Sequence, residues 1–166
     1  MLKSMSDELE RTQPAACDLT CPRVKWIFRL LVFAQFLFVI LIVATSGSPF
    51  GHWGCVIMTL SGIGLGIWAL IAMGRSINVS PELKKTAVLK VVGPYRIVRH
   101  PMYLALLLFC GGFVMSDGAL WSFAMLVSLG LVLGSKIYYE ELQLRDRFAE
   151  YDSYAENTKR LIPFLF

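Results

Sequence analysis

Three scarcities in this chain each exclude a class of protein. The first is paired cysteine. Its four cysteines form no framework: Cys55 and Cys110 sit in apolar stretches and read as small core residues. Cys17 and Cys21 lie in a polar arm with no second Cys/His pair, so a metal or redox centre is not expected. Their nearness to an apolar run leaves reversible acylation as their alternative use. The second scarcity is an early apolar run. Residues 1–23 mix both charge signs, so no secretory signal peptide is expected. The third is positive charge at two connections. The stretch from Ser46 to Gly51 has no Lys or Arg, and Ser116-Asp117-Gly118 has one acid and no base.

What is abundant is apolar. Hydrophobic residues make up 56% of the chain, against roughly 45–50% in soluble domains. They cluster in four blocks: about 24–45, 52–73, 101–116 and 119–137. A membrane-crossing helix needs roughly 20 apolar residues. The third block is slightly short, so a tilted or shielded helix is expected there. The fold class is therefore an all-α membrane protein with about four transmembrane helices.

All sixteen Lys and Arg fall in residues 3–29, 75–99 and 136–160. Positive charge gathers on the cytoplasmic side of membrane proteins. Both termini and the long loop are thus expected in the cytoplasm, which four spans satisfy. The membrane would be the inner membrane in a bacterium or the endoplasmic reticulum in a eukaryote. Because the basic loop serves topology, no nucleic-acid partner is expected.

We read residues 1–22 as a cytoplasmic N-terminal arm and 23–166 as one helical membrane domain. Gly62 and Gly66, and again Gly130 and Gly134, have the spacing that lets helices approach closely. Packing inside one chain is the expected use, giving a monomer or weak homo-oligomer. Pro81 and Pro94 break the long connection 74–100, and Val88 to Val92 reads as extended. Pro101 suits the first turn of the third span. Arg99 and His100 would then lie at a helix entrance, a suitable place for a carboxylate or phosphate. The third and fourth spans must form a tight hairpin, with Asp117 available to cap the fourth. This brings His100 beside Glu140 and Glu141. Residues 138–158 read as an amphipathic C-terminal helix with Leu144, Phe148, Tyr151 and Ala155 on one face. Leu161 to Phe166 is expected to return to the membrane face.

Arg96, Arg99, His100, Tyr103, Glu140, Glu141 and Arg160 are candidates for one mixed-charge pocket at a span end. Singly, each has a plainer use: Arg96 anchoring lipid headgroups, Tyr103 at the interface, the glutamates pairing with Lys136 or Arg145. Together, polar groups at that depth need a reason.

The residues of this region carry a family resemblance. Leu89-Lys90-Val91-Val92-Gly93-Pro94-Tyr95-Arg96 through Arg99-His100-Pro101-Met102-Tyr103 resembles the signature of integral-membrane methyltransferases of the isoprenylcysteine carboxyl and phospholipid N-methyltransferase group. Glu140-Glu141, Leu144, Phe148, Tyr151, Tyr154 and Arg160-Leu161-Ile162-Pro163 resemble its second motif, and Gly74-Arg75-Ser76 its loop start. Ala105 and Ala149 stand where glycine is common, and a methyl at Ala105 would narrow the cofactor cleft.

The resemblance implies S-adenosylmethionine as cofactor, a cytoplasmic catalytic loop, and a lipidic or small apolar methyl acceptor. The acceptors open are a prenylcysteine carboxylate, a phospholipid amine or a thiol, with membrane lipids as surroundings. It implies cofactor contacts from Tyr95, His100, Pro101, Tyr103, Glu140 and Glu141. Arg99, His100 and Glu140 take the catalytic roles, and Arg96, Arg160 and Tyr151 face the acceptor. Adjacent glutamates point about 100° apart on a helix, so they should divide between two jobs. Methyl transfer rests on positioning; no metal is implied. Two other readings stand beside this one. A membrane reductase of sterol-reductase-like architecture would use NADPH, but no glycine motif for a dinucleotide phosphate occurs. A non-catalytic membrane scaffold is the other.

Overall fold

The computed structural model describes residues 22–74, 92–148 and 150–161. The arm with Cys17 and Cys21, Arg75-Ser76, Pro81, Val88 to Val91, Ala149 and residues 162–166 lie outside the described residues. Among the described residues there are five α-helices and no strand. They are α1 (Pro22–Thr45), α2 (Trp53–Met73), α3 (Pro101–Asp117), α4 (Leu120–Arg147) and α5 (Tyr151–Asn157). Short 3-10 turns, Pro49–Gly51 and Gly93–Arg96, precede α2 and α3.

Three helices are long and apolar enough to cross a membrane, within α1, α2 and α4. The 17-residue α3 measures about 26 Å at a rise of about 1.5 Å per residue. That is short of a hydrocarbon core of roughly 30 Å. Its neighbours shield it: α1, α2 and α4 all pack on α3, and Ala105, Cys110, Gly111, Gly112 and Val114 are buried along it. The other helices instead turn large side chains outward, among them Phe33, Ile40, Ile57, Ile71, Val127 and Leu131. In water such surfaces would aggregate; in lipid they have no cost.

α2 and α3 meet through small residues. A Cβ on Gly62 would lie 2.5 Å from the Phe109 amide nitrogen and 2.7 Å from the Ala105 carbonyl oxygen. Such backbone approach is open only to glycine. The Ala105 methyl faces this same crossing, 3.6 Å from where a Gly66 Cβ would sit. It therefore fills the α2–α3 seam. The second glycine pair behaves differently. Gly130 and Gly134 meet nothing within 4 Å, because α4 packs through Leu129 and Leu133, which join Ile42, Cys110 and Val114 in the core.

α1 and α4 run antiparallel. Phe28 contacts Tyr139 edge-on, Gln35 reaches Lys136, and Ile42 joins Leu129 and Leu133. The start of α1 and the end of α4 thus lie at one end of the bundle. The turn after α1 lies at the other, where the Ser116 hydroxyl donates to the Ser48 carbonyl at 2.8 Å. The α3–α4 hairpin turns on Gly118, whose φ of 66° is left-handed. Asp117 remains the last residue of α3, and Ala119 takes the cap position of α4. Asp117 therefore makes no backbone cap; it accepts from the Ser122 hydroxyl.

The helix expected over 138–158 is interrupted. α4 continues unbroken to Arg147, and Phe148 is extended at φ −122°, ψ 109°. The chain then folds back as α5. A straight continuation would carry Tyr154 and Ala155 away from the partners described next.

Candidate active site

The site begins with the chain that enters α3. Gly93, at φ 59°, starts a 3-10 turn packed on the end of α2; a Cβ there would lie 3.0 Å from that of Ala72. The turn buries Pro94 and Tyr95 and leaves Arg96 exposed. Arg96 takes no part in the polar network among the described residues. Val98 then pairs in parallel with Lys159. The Arg99 amide donates to the Lys159 carbonyl at 2.7 Å, His100 to Arg160 at 3.1 Å, and Lys159 back to Ile97 at 3.2 Å. The two stretches that resemble family motifs are thus joined through their backbones. Pro101, buried, opens α3 where its missing donor has no cost.

Glu140 and Glu141 divide as their angular separation demands. The Glu141 side chain is 6% exposed and lies 3.1 Å from Arg99 Nε, an ion pair whose alignment falls short of a hydrogen bond. Arg160 Nε donates to its other oxygen, also at 3.1 Å. Arg99 is 9% exposed and also donates to the Ala155 carbonyl at 2.7 Å. This trio braces α3, α4 and the chain after α5 against one another.

Glu140 faces a different space. Its side chain is 30% exposed and accepts from the Tyr103 hydroxyl at 2.5 Å. The His100 ring stacks on Tyr103 with centroids 5.6 Å apart. His100 lies between the carboxylates: Nδ1 is 3.6 Å from Glu140 Oε2 and Nε2 is 3.7 Å from Glu141 Oε1. Its Nε2 has no hydrogen-bond partner, nor does the buried hydroxyl of Tyr95. Burial, then Tyr154, then Glu140 push the Tyr95 phenol up to about 12. The hydroxyl of Tyr154 donates to the Tyr95 carbonyl at 2.6 Å and holds the turn. Burial also raises the Tyr154 phenol.

Tyr151, expected to face the acceptor, is 1% exposed and packs edge-on against Tyr154. Burial first, then Glu141, raise its phenol. The break at Phe148 turns it inward, so it supports the brace. Arg160 borders an open cleft of about 600 Å³ with Arg99, Arg145, Asp152 and Lys159.

Two residues of the site were not singled out by the sequence reading. Lys136 lies with its ammonium 4.9 Å from the centre of the Tyr103 ring and donates to Gln35 of α1 at 2.7 Å. The signal was present: a lysine one turn before Glu140 and a glutamine inside an apolar run.

A helical bundle with lipid-facing surfaces and a polar site at one end defines an integral membrane protein. Within that class the phospholipid methyltransferase family matches residues 50–151, more than half of the chain, and the chain belongs to this family of membrane methyltransferases. No curated protein and no solved structure matches it.

Proposed function

We propose that the protein transfers a methyl group from S-adenosylmethionine to a lipophilic or small apolar acceptor at the cytoplasmic membrane face. The observation that carries this is the partly open Glu140 carboxylate, 3.6 Å from the His100 ring, in a site where two buried polar atoms, His100 Nε2 and the Tyr95 hydroxyl, make no hydrogen bond. That set fits the cofactor's periphery. Glu140 would accept from its ammonium or ribose hydroxyls, and His100 and Tyr95 would donate to its carboxylate. Tyr103 would pack along its adenosyl portion, and Pro101 fixes the backbone beneath. When bound, S-adenosylmethionine supplies a methyl group on a positively charged sulfur.

Glu141 holds the frame, so Glu140 is the glutamate that meets the cofactor. A carboxylate pressed on the sulfonium would favour the ground state and slow transfer; Glu140 therefore belongs at the edge. Arg99 serves catalysis through the brace. Arg160 and the exposed Arg96 are placed to meet an anionic acceptor head. A prenylcysteine carboxylate, a phospholipid amine and a thiol are the acceptors to screen.

Both chain termini, which carry basic residues, would face the cytoplasm. The antiparallel pairing of α1 with α4 supports this, since it sets the start of one beside the end of the other. Cofactor would enter from that side and acceptor from the bilayer.

The test is calorimetric binding of S-adenosylmethionine to the purified protein, with methyl transfer from labelled cofactor screened over lipid, prenylcysteine and thiol acceptors. Hydrogen bonds to charged groups contribute about 1.5–3 kcal/mol, so His100→Ala and Glu140→Ala should each weaken binding about tenfold or more. Unchanged affinity in both, with the melting temperature retained, overturns the assignment.

A further inference from the structure

Gln35 and Lys136 both lie inside the spans, and they meet. Gln35 stands in the apolar run Leu31 to Ile40 of α1; Lys136 stands in α4, where it is 7% exposed. A lysine near a helix end ordinarily extends its ammonium to the interface. Here the ammonium stays within the bundle, 2.7 Å from Gln35 Oε1 and over the face of Tyr103. The hydroxyl of the same tyrosine donates to Glu140, which follows Lys136 by one helical turn. Four side chains thus form a continuous path from the middle of α1 to the rim of the site. Gln35 precedes the residues matched by the family, so the path is how α1 reaches the site.

We infer that Lys136, anchored by Gln35, is a positioning residue that sets Tyr103 and Glu140 for the cofactor. The inference rests on the cofactor reading given above. A buried ammonium in a membrane protein is costly and usually functional; a leucine would pack against α1 without that cost. The charge acts through the ring. It fixes Tyr103 by attraction to its π face, which aims the hydroxyl at Glu140. The competing use is a simple tie between α1 and α4, which would move stability and leave cofactor affinity alone.

The experiment measures the S-adenosylmethionine Kd calorimetrically, with the melting temperature alongside, on the full chain in lipid nanodiscs. Lys136→Met is expected to raise Kd about tenfold. Lys136→Arg should recover most of the affinity, because guanidinium also bonds an amide oxygen and stacks on a ring. The Lys136→Met/Glu140→Gln double variant should lose less than the product of the two single losses, the mark of groups acting as a unit. A Kd for Lys136→Met within about twofold of wild type overturns the inference, as does additivity in the double variant. If Lys136→Met does not fold, Gln35→Leu keeps the lysine and removes its anchor; a raised Kd supports the inference and an unchanged one overturns it. Wild-type protein that binds no S-adenosylmethionine overturns the cofactor reading and this inference with it. Wild-type binding with an indifferent Lys136→Met overturns this inference alone.

Discussion

Replacing Glu141 by glutamine keeps the shape of the side chain and removes one charge from the centre of the brace. The cost follows from what its partners lose. Arg99 is nine-tenths buried and cannot turn to water. Removing one partner of a buried ion pair costs about 3–5 kcal/mol. Arg99 keeps its bond to the Ala155 carbonyl, which points to the low end. Arg160 is 43% exposed and rehydrates easily, so its share is about 0–1 kcal/mol. The sum is about 3 kcal/mol, and it falls on one region, the junction of residues 97–100 with 155–160. At about 1.4 kcal/mol per tenfold, local opening of that junction should rise on the order of 100-fold. Hydrogen exchange measures it directly. The amides of Arg99, His100 and Lys159 are bonded across the junction and should lose that protection. Amides around Cys110 and Val114, in the core, should keep theirs. Glu140→Gln should leave the junction protected, since Glu140 contacts Tyr103 and His100 instead. Acceleration below about threefold, or equal acceleration in the core, would refute the reasoning.

Three further outcomes are expected. Gly62→Ala should destabilise the protein by about 1–3 kcal/mol in detergent melts, because its methyl would meet the backbone of α3. Gly64→Ala, with nothing within 4 Å, should stay within about 0.5 kcal/mol of wild type; equal losses would refute the close crossing. The raised Tyr95 phenol makes stability depend on alkaline pH. Its contribution is fully present below the ordinary value of 10.0 and is lost as pH rises through about 12. Tyr95→Phe should reduce that dependence in unfolding curves, leaving the share of the raised Tyr151 and Tyr154 phenols, and a Tyr95 phenolate absorbance appearing near pH 10.0 in the folded protein would contradict the burial. Finally, a reporter fused at Gly47 should read on the side opposite the cytoplasm, and a cytoplasmic reading would reverse the orientation.

Much of the architecture was legible because it rests on composition. Apolar runs long enough to cross lipid mark their helices directly. The connection at Gly118-Ala119 is too short for anything but an antiparallel hairpin, so the approach of His100 to Glu140 and Glu141 follows from chain length. The division of labour between those glutamates follows from helix geometry. Other features depend on groups that carry no pattern. The pairing of Val98 with Lys159 uses backbone donors and acceptors, which every residue has. The break at Phe148 has no glycine or proline to announce it, and the apolar spacing continues across it. In the sequence Lys136 offers itself only as a partner for the glutamates one turn on; the antiparallel packing of α1 on α4 is what brings it to Gln35. Ala105 was placed at the cofactor cleft by analogy, whereas the crossing at Gly62 directs its methyl to α2.

The backbone junction between residues 97–100 and 158–160 also sets an order of events during synthesis. The segment entering α3 is made early, yet its hydrogen-bond partners emerge only after α4 and α5. Until then the amides of Arg99 and His100 have water as their partner, and Arg99 has no Glu141. The helices can enter the bilayer one after another while the polar end of the bundle stays open. Closure of the site is therefore a late step, coupled to the arrival of the last described residues. A ribosome that stalls within α5 would leave an inserted bundle whose methyl-transfer end has not yet been built.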